Sequence, residues 1–120
     1  MKYSKTKLNQ EVCIPCQVGA PIVDPREVKA FLKDLNANWD MNAQQHLCLE
    51  LSFPDFCSAL QFTNALGELA EQEQHHPDLQ LGWGYVRIEL WTHKAHGVTQ
   101  SDLVMAAKID TLAQINNLKS

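Results

Sequence analysis

The sequence predicts an α+β fold, a two-layer sandwich in which three helices cover one face of a four-stranded antiparallel sheet, in the order αββαββα. Two segments alternate strictly between apolar and polar residues, which is typical of strands buried on one face only. Three other segments repeat apolar residues at helical spacing behind a capping residue. With 120 residues, 45% of them hydrophobic and 20% charged, the chain has an ordinary globular composition and can bury one core.

Local signals mark the first helix and the strand pair that follows it. Asp24 can cap the helix and Pro25 suits its first position. A strand is predicted to open at Trp39, and a turn over residues 42–45 joins it to a second strand over residues 46–53. The residues of this second strand predicted to face the core are Leu47, Leu49, Leu51 and Phe53.

The second half of the chain repeats the unit of one helix and two strands. Asp55 starts the second helix, and His-His-Pro at residues 75–77 ends it, because a residue before proline is disfavoured in the helical region. Two further strands are predicted near residues 79–81 and over residues 85–92, on either side of a glycine-flanked turn.

A third helix closes the fold. Thr99 and Asp102 have the spacing of a capping box at its start. Apolar residues at helical spacing define the core faces of the last two helices. The second helix is expected to bury Phe56, Ala59, Leu60, Phe62, Leu66, Leu69 and Ala70, and the third Met105, Ile109, Leu112 and Ala113.

Charge and hydropathy exclude several classes of protein. The net charge of −4 argues against a general nucleic-acid binder, which needs a clustered basic excess. No apolar run approaches the roughly 20 residues that a membrane span needs, and the first residues lack the apolar core of a secretory signal. We therefore expect a cytoplasmic protein with its cysteines as thiols, divided into an N-terminal arm at 1–23 and a domain at 24–120.

The arm carries a Cys-x-x-Cys pair, Cys13 and Cys16. Together with His46 and Cys48, which are predicted to share a strand face, the pair suggests a zinc site as one alternative. Nothing in the sequence brings the arm to that strand, and a redox pair would need a βαβ context that is missing here. A structural arm with no metal is the preferred interpretation.

Three of the five histidines fall in the stretch from Glu71 to His93. His75 and His76 are adjacent, so extended backbone points them to opposite faces and disfavours a shared metal. Histidine titrates near neutrality, so several imidazoles around one pocket can supply both an acid and a base. Glu71 lies four residues before His75, where a carboxylate could orient an imidazole. Spacing alone leaves open the alternative that these are solvated or helix-capping side chains.

The residues around the histidines resemble the pterin-4a-carbinolamine dehydratases. The family pattern is a glutamate, His-His-Pro, an aromatic residue, an alternating strand, Thr-His, and a Gly-x-[ST]-x-x-Asp helix start. Phe53-Pro54-Asp55-Phe56 is also similar to the family's second-helix start. The matching positions are Glu71, His75-His76-Pro77, Trp83, Val86-x-Ile88-x-Leu90, Thr92-His93 and Gly97-Val98-Thr99-Gln100-Ser101-Asp102, without a gap.

The resemblance implies a reaction as well as the same fold. It is the dehydration of 4a-hydroxytetrahydropterin to quinonoid dihydropterin and water, a step in tetrahydrobiopterin recycling after an aromatic amino acid hydroxylase. No metal or cofactor is implied. The reaction needs a proton delivered to the leaving 4a-hydroxyl and a proton removed from N5, which is general acid–base catalysis.

The resemblance also assigns roles to residues. His75, His76 and His93 match the catalytic histidines, with His76 expected as the acid and His75 or His93 as the base. Glu71 and Asp102 match acidic residues that orient imidazoles, although Asp102 is also the expected capping acid. The residues expected to bind substrate are Gln74, Pro77, Trp91, Thr92 and Lys94.

Two departures from the family pattern concern substrate preference and turnover. Leu79-Gln80 stands where an aromatic pair is common, and Trp91 stands where a small residue is common. The family also implies partners: a homodimer or homotetramer, and, as an alternative to catalysis, a protein-binding regulator such as a dimerisation cofactor for a transcription factor. No nucleic-acid or membrane partner is expected.

Overall fold

The computed structural model describes residues 21–115 and shows the predicted α+β architecture, with element bounds within a few residues of those expected. The predicted arm lies almost wholly outside the described residues, as does the Cys13–Cys16 pair. Within the described range, no helix is long and apolar enough to cross a membrane. The elements are α1 (Pro25–Leu32), β1 (Asp40–Met41), β2 (Leu47–Ser52), α2 (Phe56–Glu73), β3 (Asp78–Gly82), β4 (Tyr85–Leu90), a 3₁₀ turn (His93–Ala95) and α3 (Gln100–Ile115).

The sheet has the strand order β1-β2-β4-β3, and every neighbouring pair is antiparallel. In β2 the alternation read from the sequence is confirmed, because Leu47, Leu49 and Leu51 are buried while Glu50 and Ser52 are exposed. β4 alternates in the same way and pairs with β2 so that Leu49 lies opposite Ile88. One face of the sheet therefore meets the helices, and the other carries polar side chains.

α3 lies at the centre of the core and is buried over a wider arc than the predicted stripe. Met105, Ile109 and Ala113 are buried as expected, but Leu103, Val104, Ala106 and Ala107 are buried as well. A helix that is apolar on all sides is typical of the interior. The buried carboxylate of Asp110 accepts hydrogen bonds from the backbone N–H groups of Asn36 (2.9 Å) and Ala37 (2.8 Å), which ties the loop after α1 to α3.

α2 covers the core along a narrower stripe than predicted. Ala59, Phe62, Leu66 and Ala70 are buried, whereas Phe56 and Leu60 are 44% and 38% exposed, so their assignment to the core was wrong. Leu60 follows Ala59 and points about 100° away from the stripe. Trp83, one of the positions that match the family pattern, lies at the tip of the β3–β4 hairpin and is 72% exposed.

Gly84 is required by the β3–β4 turn. Its φ is +79°, and a Cβ there would lie 3.1 Å from the carbonyl oxygen of Phe53. We expect Gly84→Ala to lower the free energy of unfolding by about 1–2 kcal/mol, because alanine is strained at positive φ. Gly67→Ala is the matched control: it lies inside α2 with open space at its Cβ, so alanine should raise stability by up to about 1 kcal/mol. Urea denaturation of both variants measures this, and a loss of equal size in both would contradict the assignment.

Candidate active site

The end of α2 places the two adjacent histidines in different environments. Gln74 adopts a left-handed conformation (φ 54°, ψ 37°), and the N–H of His75 donates to the carbonyl of Ala70 at 3.2 Å. The helix thus ends before the His-His-Pro motif, through a left-handed cap rather than through the proline. After this reversal His75 is 3% exposed and His76 is exposed, which agrees with the expectation that the two point to opposite sides.

A buried carboxylate, Asp102 at the start of α3, is the centre of the site. Its Oδ1 accepts a hydrogen bond from His75 Nε2 at 2.6 Å. Its Oδ2 accepts from Thr92 Oγ1 at 2.7 Å and from the backbone N–H of Thr99 at 2.8 Å. Because the Thr92 hydroxyl donates to Asp102, the Thr99 hydroxyl, 2.8 Å away, donates to Thr92. Asp102 therefore caps α3 and orients His75 at the same time, and it joins three separate segments of the chain.

A second carboxylate–imidazole pair lies on the surface beside the first. His76 Nε2 is hydrogen-bonded to Glu71 Oε2, across the turn that ends α2. Both side chains are open to solvent, at 57% and 73% exposure. Glu71 also lines an open groove of about 850 Å³ that reaches Leu79 of β3, a volume within the range of small-molecule sites. Glu71 is thus the partner of His76 and not of His75.

His93 follows β4 in the 3₁₀ turn and is exposed. The turn is closed by a bridge in which the N–H of Thr92 donates to the carbonyl of Gly97 at 2.9 Å. The imidazole of His93 stacks on the indole of Trp91, with ring centroids 4.1 Å apart and planes 17° apart. Thr92, which lies between Trp91 and His93 in the chain, is buried and donates to Asp102. The same short segment therefore contacts the buried Asp102–His75 pair and carries the exposed His93.

Sequence comparison matches these residues to a known family. The profile of the family described as pterin 4 alpha carbinolamine dehydratase matches residues 21–112, which include every histidine of the site. The chain belongs to the pterin-4a-carbinolamine dehydratase family. The resemblance noted in the sequence is therefore confirmed.

Individual relatives extend over most of the chain. Proteins of Rickettsia bellii and Alkaliphilus metalliredigens that bear the family's name are each 45% identical to it, over 88% and 86% of this chain and 93% of each relative. A crystal structure described as a transcriptional coactivator/pterin dehydratase from Brucella melitensis has a TM-score of 0.71 at 28% identity, covering 78% of this chain and 99% of that one. A pterin dehydratase-like protein described as a RuBisCO assembly factor of the alpha-carboxysome has a TM-score of 0.53 at 27% identity, covering 62% and 88%.

The remaining residues expected to bind substrate surround the dehydratase-family motif. The side-chain amide of Gln74 donates to the carbonyl of Glu71 at 2.7 Å, so this side chain completes the helix end. Pro77 is half-buried after His76, and Lys94 is exposed beside His93. Their role in binding a pterin stays a prediction.

Between residues 21 and 115, no group of three His, Cys, Asp or Glu side chains is arranged to hold a metal ion. His46 Nδ1 is hydrogen-bonded to Glu89 at 2.6 Å, whereas Cys48 Sγ donates to the carbonyl of Asp40 at 3.6 Å. These two side chains therefore serve different partners. The cysteines of the arm, on which the zinc alternative also depends, lie outside the described residues.

Two residues beside the site, His46 and Glu89, were not predicted as part of it, and His46 was considered only for the zinc alternative. The imidazole of His46 stacks on the second face of Trp91, with centroids 4.0 Å apart and planes 2° apart. The register of β2 against β4 places Leu47 opposite Leu90 and so brings His46 beside Trp91. The sequence does indicate that His46, Glu89 and Trp91 lie on the polar faces of their strands. Which of these side chains come into contact depends on how the two strands pair.

Glu89 makes part of the stability depend on pH. A hydrogen bond from His46 lowers the pKa of the Glu89 carboxyl; partial burial opposes this, and a bond from Asn42 adds to it. A carboxyl with a depressed pKa stabilises the fold above its ordinary value of 4.5, and that stabilisation is lost as the pH falls through the folded value. We expect Glu89→Gln to lower the urea midpoint at pH 7 and to differ less from wild type at pH 3. A difference that is constant with pH would contradict this assignment.

Proposed function

We propose that this protein dehydrates 4a-hydroxytetrahydropterin to quinonoid dihydropterin and water by histidine acid–base catalysis. One observation carries the proposal: the buried carboxylate of Asp102 holds His75 on one side and Thr92, the residue before His93, on the other. With the Glu71–His76 pair on the adjoining surface, imidazoles flank one region of the fold.

The two exposed histidines suit the two proton transfers. In the dehydration the C4a–O bond breaks and the hydroxyl leaves as water with a proton from an acid; the N5 electrons form the C4a=N5 bond as a base takes the N5 proton. His76 is proposed as the acid, because it is exposed and its Nε2 is hydrogen-bonded to the Glu71 carboxylate. His93 is proposed as the base, since among residues 21–115 no carboxylate forms an ion pair with it.

His75 is proposed to position rather than to transfer a proton. Its side chain is only 2% exposed, and its Nε2 is engaged by Asp102. A substrate at the surface therefore meets His76 and His93 before it meets His75. The pterin itself is proposed to lie against Thr92, Lys94 and the turn at Gln74–Pro77, and to be supplied by an aromatic amino acid hydroxylase in tetrahydrobiopterin recycling in the cytoplasm.

Stopped-flow absorbance on freshly generated 4a-hydroxytetrahydropterin tests the proposal. Wild-type protein should accelerate dehydration above the buffer rate, and His93→Ala should remove about 10²-fold or more of that acceleration. His75→Ala should lose activity together with stability, because it removes one of the three buried donors to the Asp102 carboxylate. No acceleration by the wild type would overturn the enzymatic function.

Protein binding is the second candidate function. Trp83 at the hairpin tip and Phe56 and Leu60 on α2 expose apolar surface that the described core does not use. Similar structures are described as a transcriptional coactivator and as an assembly factor, which makes a regulatory role with weak or no catalysis the alternative.

We also expect a homodimer or homotetramer, because β1 and β3 are open sheet edges. Light scattering measures the oligomeric state, and a monomeric mass would contradict it.

A further inference from the structure

Three aromatic rings form one column at the edge of the site. The indole of Trp91 lies between the imidazoles of His46 and His93, at 4.0 Å and 4.1 Å between centroids and nearly parallel to both. Both faces of the indole are therefore covered by protein. A pterin ring could not stack on Trp91 without displacing one of the histidines, so the tryptophan has a different use from a stacking platform.

The end of the column away from His93 is held firmly. Glu89 Oε2 accepts hydrogen bonds from His46 Nδ1 at 2.6 Å and from the Asn42 side chain at 2.8 Å. Asn42 Oδ1 in turn accepts from the backbone N–H groups of Gln44 and His46, both at 3.0 Å, in the turn between β1 and β2. The side chain of His46 is only 16% exposed. A hydrogen bond, a stacking contact and a tight turn together fix the plane of its ring.

The opposite end has much less support of its own. His93 is exposed and lies in a turn of three residues, whereas His75 is buried against a carboxylate. The Asp102 network reaches the backbone next to His93 through Thr92 but not the imidazole itself. The ring of His93 therefore depends on its contact with Trp91 for its orientation.

We propose that Glu89 and His46 form a positioning pair that acts through Trp91 to fix the imidazole of His93. The inference rests on the proposed function for its catalytic consequence, and it assigns a role to two residues outside the family pattern. Small displacements of a reacting group cost large factors in rate, so a distant hydrogen bond that holds a catalytic ring is expected to affect turnover. Substrate binding should depend on it much less.

Steady-state kinetics and NMR of three variants test this pair. His46→Ala and Glu89→Gln should each lower kcat about tenfold with less than a twofold change in KM. His46→Phe keeps a ring on Trp91 and should recover part of the kcat lost in His46→Ala. Glu50→Gln is the matched control, because this carboxylate lies on the same sheet face and pairs with Arg87 instead, so its kcat should stay at the wild-type value.

The NMR measurement separates the positioning role from the proposed function. The ring protons of His93 should show an upfield shift from the Trp91 indole, and this shift should decrease in His46→Ala and Glu89→Gln, whether or not the protein is a dehydratase. Unchanged His93 shifts, or a wild-type kcat in His46→Ala, would overturn the positioning role. A wild type that shows the shifts without accelerating dehydration would overturn the enzyme and leave the positioning pair supported.

Discussion

Asp102→Ala is expected to lower the free energy of unfolding by about 3 kcal/mol and to abolish measurable acceleration of dehydration. The carboxylate is fully buried and accepts from three donors, on His75, Thr92 and Thr99. Removing it leaves those groups buried without their acceptor, which costs several kcal/mol. Urea denaturation gives the first quantity and stopped-flow kinetics the second, measured at a temperature at which the variant is folded.

Asp110→Ala is the matched control for this variant. Asp110 is the other buried aspartate of α3, and it accepts from the backbone of Asn36 and Ala37, away from the histidines. We expect a loss of about 2–3 kcal/mol with the activity of the folded protein within twofold of wild type. Equal loss of activity in both variants would show that Asp102 acts only through stability.

His76→Ala is expected to have the opposite profile, with little change in stability and a loss of about 10²–10⁴-fold in kcat. Its side chain is 57% exposed, so its removal leaves no cavity, and its hydrogen bond to Glu71 lies in solvent. The loss should appear in single-turnover kinetics, where product release does not contribute. Glu71→Gln should lose less, because it removes a partner of the imidazole and not the imidazole itself.

His96→Asn provides the control for loss of an exposed histidine. His96 lies three residues after His93 at φ +59°, a conformation that asparagine tolerates better than alanine. The family pattern does not include it, and we expect unchanged kcat and stability. If His76→Ala retained wild-type kcat, His76 could not be the acid.

The strands and helix starts were predictable from short stretches of sequence. The alternation in Leu47–Ser52 reports a sheet with one covered face, because successive side chains point to opposite sides. Asp24 and Asp55 were readable at helix starts, and each accepts from a backbone N–H in the first turn of its helix. Asp102 was readable as a capping-box acid, and it accepts from the backbone N–H of Thr99, just before α3. These are local effects, so the sequence contains all that is needed to see them.

The width of the buried helix faces was not readable in the same way. Phe56 and Leu60 are apolar yet exposed, whereas nearly all sides of α3 are buried. Which face of a helix is covered depends on the neighbours that pack against it, and those come from distant parts of the chain. The left-handed Gln74, which ends α2 before the proline, is likewise a tertiary outcome, since glutamine has no special preference for that conformation.

The sequence by itself, read with the family pattern, predicted the candidate site residues: the three histidines, Glu71 and Asp102. Only the tertiary structure decided their partners, placing Asp102 on His75, 27 residues away, and Glu71 on His76. It also placed His46, 43 residues from Glu89, at the end of the column that reaches His93. The reason is physical: hydrogen bonds and ring stacking act over a few ångströms, and strand register and helix packing decide which distant residues come that close.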